Sequence, residues 1–168
     1  FRAPGRVNLI GGQVDYHEGW VVSLAIDRDV HVTATTRADG RVVARSSDFD
    51  GEVDVAADGR DDPGATLPQW GREVAGVVRV LADLGRPPVG ADLTVTSTVP
   101  VGAGLSSSAA FAVACALALA DAARFEIDGV ELALAAQRAE HTATGVPCGI
   151  QDQNASVLGP ADHAVFLD

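Results

Sequence analysis

Pro100-Val101-Gly102-Ala103-Gly104-Leu105-Ser106-Ser107-Ser108-Ala109-Ala110 joins two runs of different character. Before it, Leu93, Val95, Ser97 and Val99 alternate with Thr94, Thr96 and Thr98, the period of a strand. After it, an alanine-rich run over residues 106–123 reads as a helix. Gly102 and Gly104 lack a Cβ, so the backbone can turn sharply and approach a ligand closely. Ser106, Ser107 and Ser108 stand where the first free N–H groups of the helix point outward. Loop, helix N-terminus and hydroxyls together make an anion site, most naturally for phosphate. A plain helix cap needs one serine rather than three, and no Gly-Ala-Gly. All twelve basic residues are arginine, which excludes the Gly-Lys-Ser/Thr of a Walker loop. The Gly-x-Gly fragment, with Asp121 about 20 residues on, imitates half of a dinucleotide fingerprint. Asp121 falls inside the same helix rather than after a second strand, so that reading is rejected.

The composition narrows the partners. A chain of 168 residues with 47% hydrophobic residues can bury a core as one domain. Because it opens on Phe1 rather than methionine, it is expected to be a piece of a longer polypeptide. A net charge of −11, with no basic stripe, argues against nucleic acid. The two cysteines, Cys115 and Cys148, form no C-x-x-C pair, and the four histidines lack zinc spacing. The longest apolar run, residues 109–120, is well short of the ~20 residues that span a bilayer. No secretory pattern opens the chain. No membrane partner and a cytoplasmic location are expected.

Along the chain, residues 21–26 and 29–37 read as two strands, with further strands at 41–46, 52–55 and 91–99. Residues 56–68 read as a surface loop. Trp70, Val74, Val77, Val78, Leu81 and Leu84 recur at helical spacing, and Gly85 with Pro87 and Pro88 stops that helix. Another helix spans about residues 130–141, capped by Asp128 with Glu131 as capping-box partner. Gly145-Val146-Pro147 ends it, and residues 164–167 look like a closing strand. The pattern predicts one α+β domain over residues 1–168, with helices packed on a mostly antiparallel sheet.

Two further segments combine unusual glycine use with charge. In Ala3-Pro4-Gly5-Arg6-Val7-Asn8-Leu9-Ile10-Gly11-Gly12-Gln13-Val14-Asp15-Tyr16, Arg6 and Asp15 flank an apolar core and a Gly-Gly turn. Around residues 140–153, Gly145-Val146-Pro147-Cys148-Gly149-Ile150 delivers Asp152 beyond a kinked backbone. Taken singly, these fit a surface arginine, a turn aspartate and a helix end.

Together the three segments resemble the GHMP kinases, and within them the galactokinase family. Pro-x-Gly-x-Gly-Leu-Ser-Ser-Ser-Ala at residues 100–109 is similar to that family's second signature. Residues 3–11 resemble the galactokinase opening residue for residue. Residues 145–153 look like its Cys-Gly-Ile-Met-Asp-Gln segment. The resemblance covers nearly the whole chain, but only the N-terminal half of such an enzyme, so a C-terminal lobe of the same polypeptide is an expected partner.

The resemblance implies a ribosomal-S5-domain-2-like two-layer sandwich with helices on one face. It also implies an ATP-dependent sugar 1-kinase acting on galactose or a similar sugar. Asp152 would be the base for the anomeric hydroxyl, and Arg6 beside it would stabilise charge on the transferring phosphoryl group. Gly102, Ala103, Gly104, Leu105, Ser106, Ser107 and Ser108 would wrap the ATP phosphates. Ser108 and Glu140 would hold Mg²⁺, a hard cation that takes few protein oxygens. Gly12, Gln13, Asp15 and Gly149 would meet the sugar, with Asp15 on the C3 and C4 hydroxyls.

The match breaks in the sugar pocket. The family's Glu-His-Thr-Asp-Tyr is here Gly12-Gln13-Val14-Asp15-Tyr16, which removes the glutamate and histidine near the C6 hydroxyl. Such a pocket loses discrimination for a hexose. A preference for a pentose of the L-arabinose type is therefore an alternative expectation, and a non-catalytic sugar- and ATP-binding regulator is another. An S5-like RNA-binding domain shares the fold but not the charge. Gln151 stands where the family has methionine.

Overall fold

The computed structural model describes residues 1–12 and 19–167. Its strands are β1 (Arg2–Ile10), β2 (Val21–Arg37), β3 (Arg41–Ser46), β4 (Glu52–Ala56), β5 (Gly90–Ser97) and β6 (Val165–Leu167). The helices are α1 (Gly71–Asp83), α2 (Ser107–Ala122), α3 (Gly129–Thr144) and α4 (Gln151–Leu158), with a 3-10 turn at Pro63–Ala65. The main sheet runs β1-β2-β5-β3-β4, and β6 pairs with β2. Among the described residues β3 and β5 are parallel and the other pairings antiparallel. A mostly antiparallel α+β sheet is thus what forms, with one parallel contact closed by the β4–α1 crossover.

Alternation in the strands decides which side is wet. Val30 and Val32 of β2, Ala91, Leu93 and Val95 of β5, Val42 and Ala44 of β3, and Val53 and Val55 of β4 are buried on the helix side. The opposite face carries charge: Arg37 Nη1 lies 3.0 Å from Asp92 Oδ1, and Arg41 Nε 2.7 Å from Asp54 Oδ1. Such exposed pairs add little stability each. They keep the open face solvated.

Helix α2 lies at the centre of the helix layer. It packs on β1, β2 and β5 and on α1, α3 and α4, so it has no polar side to show. Small side chains fit it there, and Ala109, Ala110, Ala112, Ala114, Ala116, Ala118 and Ala120 are all buried. Helices α1 and α3 approach closely at Gly76, where a Cβ would stand 2.6 Å from the Ala139 carbonyl oxygen. Asp128 caps α3 by accepting from the Glu131 amide at 2.8 Å, and Gly145 ends it at φ 71°.

Two elements differ from the sequence reading. Residues 21–37 form one long strand rather than two, because the register against β1 shifts between Pro4 and Arg6 without breaking the ladder. Such a bulge bends a strand and re-aims its side chains. Helix α4 was not anticipated, since the sequence reading placed Asp152 only beyond a kinked backbone. Its eight residues are mostly polar, and no side chain caps its start at Ile150, so neither periodicity nor a cap announced it.

Candidate active site

The phosphate-type loop lies between β5 and α2 and is built from left-handed backbone. Gly102 and Gly104 have φ of 73° and 72°, and Ser106 follows at 54°. A serine in that region is uncommon and carries a cost of about 1–3 kcal/mol. Ser106 precedes α2, yet its side chain does not cap the helix. Its hydroxyl instead donates to Asp152 Oδ2 in α4. Ser106, read from the sequence as one of three hydroxyls of an anion site, thus reaches across to the acid.

Asp152 is held from its other side by Arg6. Arg6 Nε donates to Asp152 Oδ1 at 2.7 Å, Nη2 lies 2.6 Å from the same oxygen, and Nη1 donates to the Gly104 carbonyl at 2.9 Å. One guanidinium therefore ties β1 both to α4 and to the loop. The backbone repeats the link, with the Arg6 amide donating to the Leu105 carbonyl at 3.1 Å. Gly5 permits this approach, since a Cβ there would stand 2.7 Å from the Leu105 oxygen. Arg6 and Asp152 side chains are only 14% and 29% exposed, so the pair is largely out of water.

A second acid, Glu140 of α3, meets the start of α2 at Ser108. Ser108 Oγ donates to Glu140 Oε1 at 2.8 Å, and Gln153 Nε2 donates to Glu140 Oε2 at 2.7 Å. Neighbouring residues of α4 thus address neighbouring parts of the loop: Asp152 takes Ser106, and Gln153 takes the carboxylate that takes Ser108. Among the described residues no group of three or more His, Cys, Asp or Glu could cage a metal ion. A hydroxyl beside one carboxylate suits a hard cation that draws its remaining ligands from phosphate and water.

Two cavities flank the loop. One, of about 230 Å³, is bordered by Arg6, Gly12, Cys148, Gly149, Gln151 and Asp152. Gly149, which the sequence reading assigned to the sugar, borders the same cavity as Asp152. At Gly12 a Cβ would stand 2.2 Å from Asn8 Nδ2, and Asn8 in turn donates to Gln151 Oε1 at 3.3 Å. An amide pair occupies the space a larger residue at position 12 would need. Gln13 and Asp15 lie outside the described residues.

The second cavity, also about 230 Å³, is mostly apolar and opens between Phe49, Trp70, Phe111, Val95 and the hydroxyls of Ser107 and Ser108. Phe49 and Trp70 stack with centroids 6.3 Å apart, and Phe111 meets Trp70 edge-on. Sequence reasoning missed this cavity. Trp70 looked like one more apolar position of α1, and Phe49 lies in a turn, so only the fold brings them together. It missed Gln153 and Asn8 too, whose roles depend on α4.

Comparison with known proteins gives a consistent outcome. Residues 72–160 match the family model described as GHMP kinases N terminal domain, and residues 1–36 match the galactokinase galactose-binding signature. The chain is 46% identical over 167 residues to a galactokinase of Roseiflexus sp. (strain RS-1), covering 99% of this chain and 42% of that protein. A galactokinase of Chloroflexus aurantiacus is 44% identical, again with 99% of this chain and 42% of the relative covered. The chain thus spans well under half the length of these relatives. Lactococcus lactis galactokinase complexed with galactose superposes with a TM-score of 0.91 at 30% identity, over 100% of this chain and 44% of that one. Methanococcus jannaschii mevalonate kinase, at 17% identity and a TM-score of 0.84 over 99% of this chain and 52% of its own, shares the fold. No helix among the described residues is long and apolar enough to cross a membrane.

Proposed function

The chain belongs to the GHMP kinase family, and from that premise we propose that it is the N-terminal lobe of an ATP-dependent sugar 1-kinase. The reaction is transfer of the γ-phosphoryl group of MgATP to the anomeric hydroxyl of galactose or a galactose-like sugar. A single contact carries the reading: the acid Asp152 accepts from Ser106 of the phosphate loop while Arg6 holds its other oxygen. A proton acceptor built onto a phosphate cradle is what phosphoryl transfer to a hydroxyl requires.

In this reading the sugar enters the cavity beside Arg6, Gly149 and Asp152, and the nucleotide base enters the aromatic cavity beside Ser107. The backbone of residues 102–108 wraps the phosphates between them. Asp152 takes the proton of the attacking hydroxyl, for which Ser106 must first release Oδ2. Arg6 positions that carboxylate and faces the charge that develops on the transferring group. With no lysine in the chain, positive charge comes from this arginine and from the N-terminus of α2. Ser108 and Glu140 fit Mg²⁺ as hydroxyl and carboxylate ligands, and the ion, when bound, supplies charge neutralisation for the phosphates. A C-terminal lobe of the same polypeptide completes the cleft.

One observation favours a second acceptor. Gly12 and Gln13 stand where the resemblance has the glutamate and histidine near the C6 hydroxyl, and Asn8 closes the space beside Gly12. A pentose of the L-arabinose type needs no such contact. The galactose-binding signature over residues 1–36 favours galactose.

The test is a sugar panel with the full-length polypeptide and MgATP, read as ADP release and as loss of the reducing end. Turnover of galactose or L-arabinose to a 1-phosphate is expected. Strong galactose turnover with negligible L-arabinose turnover would remove the pentose reading. Binding of sugar and ATP without ADP release would make the protein a non-catalytic binder.

A further inference from the structure

The chain between α3 and α4 turns back on the helix it has just left. Gly145 ends α3 in the left-handed region at φ 71°, and residues 146–150 run without helix or strand to Gln151. A segment of that kind has no ladder to hold its backbone. The backbone polar groups of Cys148 are held by side chains of α3 instead. Gln137 Nε2 donates to the Cys148 carbonyl oxygen at 3.0 Å, and His141 Nε2 lies 2.8 Å from the Cys148 amide nitrogen and 2.9 Å from that oxygen. One ring nitrogen serves one of those two atoms. Gln137 already serves the oxygen, so the pairing that satisfies both has Nε2 accepting from the amide, with the ring proton on Nδ1.

Residues 137, 140 and 141 stand at i, i+3 and i+4, one face of one helical turn. The third member of that face, Glu140, accepts from Gln153 Nε2 at 2.7 Å. A single turn of α3 therefore grips the returning chain at two points, the backbone of Cys148 and the side chain of Gln153. Gly149 and Asp152 lie between those points. Pro147, Cys148 and Gly149 border the same cavity as Arg6, Gly12 and Asp152. Asp152 has its own fastenings in Arg6 and Ser106. The backbone wall at residues 147–149 draws on Gln137 and His141, and no side-chain cap at Ile150 fixes the start of α4 from the other end.

We propose that Gln137 and His141 are positioning residues of the sugar site: by clamping the Cys148 backbone they set the distance from the wall at residues 147–149 to Asp152, and with it the fit of the acceptor sugar. This rests on the reading of that cavity as the sugar pocket. Neither side chain borders the cavity itself, so each acts through the wall. A misplacement of about 1 Å caused from outside a site can cost about 10²-fold where orientation matters. Among the described residues neither side chain hydrogen-bonds to the phosphate loop at residues 102–108. The effect therefore falls on the sugar and spares ATP.

The experiment measures steady-state ADP release by the full-length polypeptide with MgATP and galactose or L-arabinose, for the parent, Gln137→Met, His141→Leu and His141→Gln. Methionine keeps the length of Gln137 without its donor, and a glutamine at position 141 offers an amide oxygen near the place of Nε2. The KM for sugar should rise about five- to tenfold in Gln137→Met and in His141→Leu, the factor one hydrogen bond supplies. The KM for ATP should stay within about twofold, and kcat should fall by no more than about threefold. His141→Gln should bring the sugar KM back to within about twofold of the parent. A merely structural role would lower the urea midpoint and the active fraction, and so kcat, without moving either KM. Should His141→Leu fail to fold, Gln137→Met decides alone. An unchanged sugar KM in Gln137→Met overturns the assignment, and so does an equal rise in both KM values or a failure of His141→Gln to restore the sugar KM. Each of these leaves the kinase reading standing, because the parent still turns over sugar. A parent that turns over neither sugar overturns that reading and this proposal with it.

Discussion

Arg6 Nη2 lies 2.6 Å from Asp152 Oδ1, an ion pair between residues 146 positions apart that fastens the first strand to the last helix. The same guanidinium donates to the Gly104 carbonyl. A fixed fork does both at once; an ammonium cannot. Arg6→Lys is therefore expected to lower kcat by about ten- to a hundredfold, with the KM for sugar little changed. Steady-state ADP release in the full-length polypeptide checks this. An unchanged kcat would mean that the arginine serves folding alone.

Asp152→Asn keeps the shape and the contact to Ser106 but cannot take a proton. Loss of a general base typically costs about 10²–10⁴-fold in rate. Turnover should fall in that range, while ADP affinity stays within about twofold because the asparagine leaves the loop in place. Both quantities come from one preparation, by coupled assay and calorimetry. Full activity in the variant would remove Asp152 from the role of base.

Ser108 and Glu140 are predicted to set the magnesium requirement. Removing the hydroxyl in Ser108→Ala, or the charge in Glu140→Gln, should raise the Mg²⁺ concentration for half-maximal rate by about tenfold or more at saturating ATP. Glu140 also accepts from Gln153, so Gln153→Ala is a useful control: it disturbs the same carboxylate without touching a ligand. Its Mg²⁺ dependence should shift less than that of Glu140→Gln. Equal Mg²⁺ curves for parent and Ser108→Ala would contradict the assignment.

Gly5→Ala tests how tightly β1 must meet the loop. The added Cβ would stand 2.7 Å from the Leu105 oxygen and 3.2 Å from Val99 Cγ1, so backbone must move. A cost of about 1–3 kcal/mol in stability is expected. A rise in the KM for ATP should accompany it, because Leu105 belongs to the phosphate loop. Denaturant midpoints and nucleotide titrations measure the two effects separately; a drop in stability with unaltered KM would uncouple strand from loop.

These contacts explain what could be read in the chain itself. Strand, glycine pair and serine triplet lie together in sequence, so the phosphate-type loop was legible from residues 100–108 alone. Arg6, Glu140 and Asp152 stood out only because segments resembled known ones, since nothing in their spacing says that they meet. The parts that stayed hidden depend on packing. Gln153 acts from a short polar helix with no apolar stripe, and Phe49 and Trp70 converge only when β3, β4 and α1 have folded. Ser106 was read as one of the loop hydroxyls, and it could be placed on Asp152 only once α4 was in position. Gly12 was read as a lost sugar contact; the structure adds that Asn8 fills the space.

Glu73 makes stability depend on pH in a direction that can be worked out. Burial, and to a smaller extent the charge of Glu140, pushes its carboxyl from the ordinary glutamate range up to about 8. Its place in the first turn of α1 favours the anion, but a helix N-terminus typically contributes only about 0.3–1 kcal/mol, less than a shift of this size implies. Between the ordinary value and about 8 the unfolded chain has released the proton that the folded chain still holds. The folded state then binds more protons, so its stability falls as pH rises, by at most about 1.4 kcal/mol per pH unit. Below the unfolded value both states hold the proton and the effect is constant. Glu73→Gln carries an uncharged amide of the same shape at every pH. Its stability relative to the parent should therefore rise steadily from about pH 5 to about pH 8, and level off above that. Urea midpoints of parent and variant in the full-length polypeptide, taken across that range, give the difference directly. A difference that does not vary with pH would place the carboxyl in water.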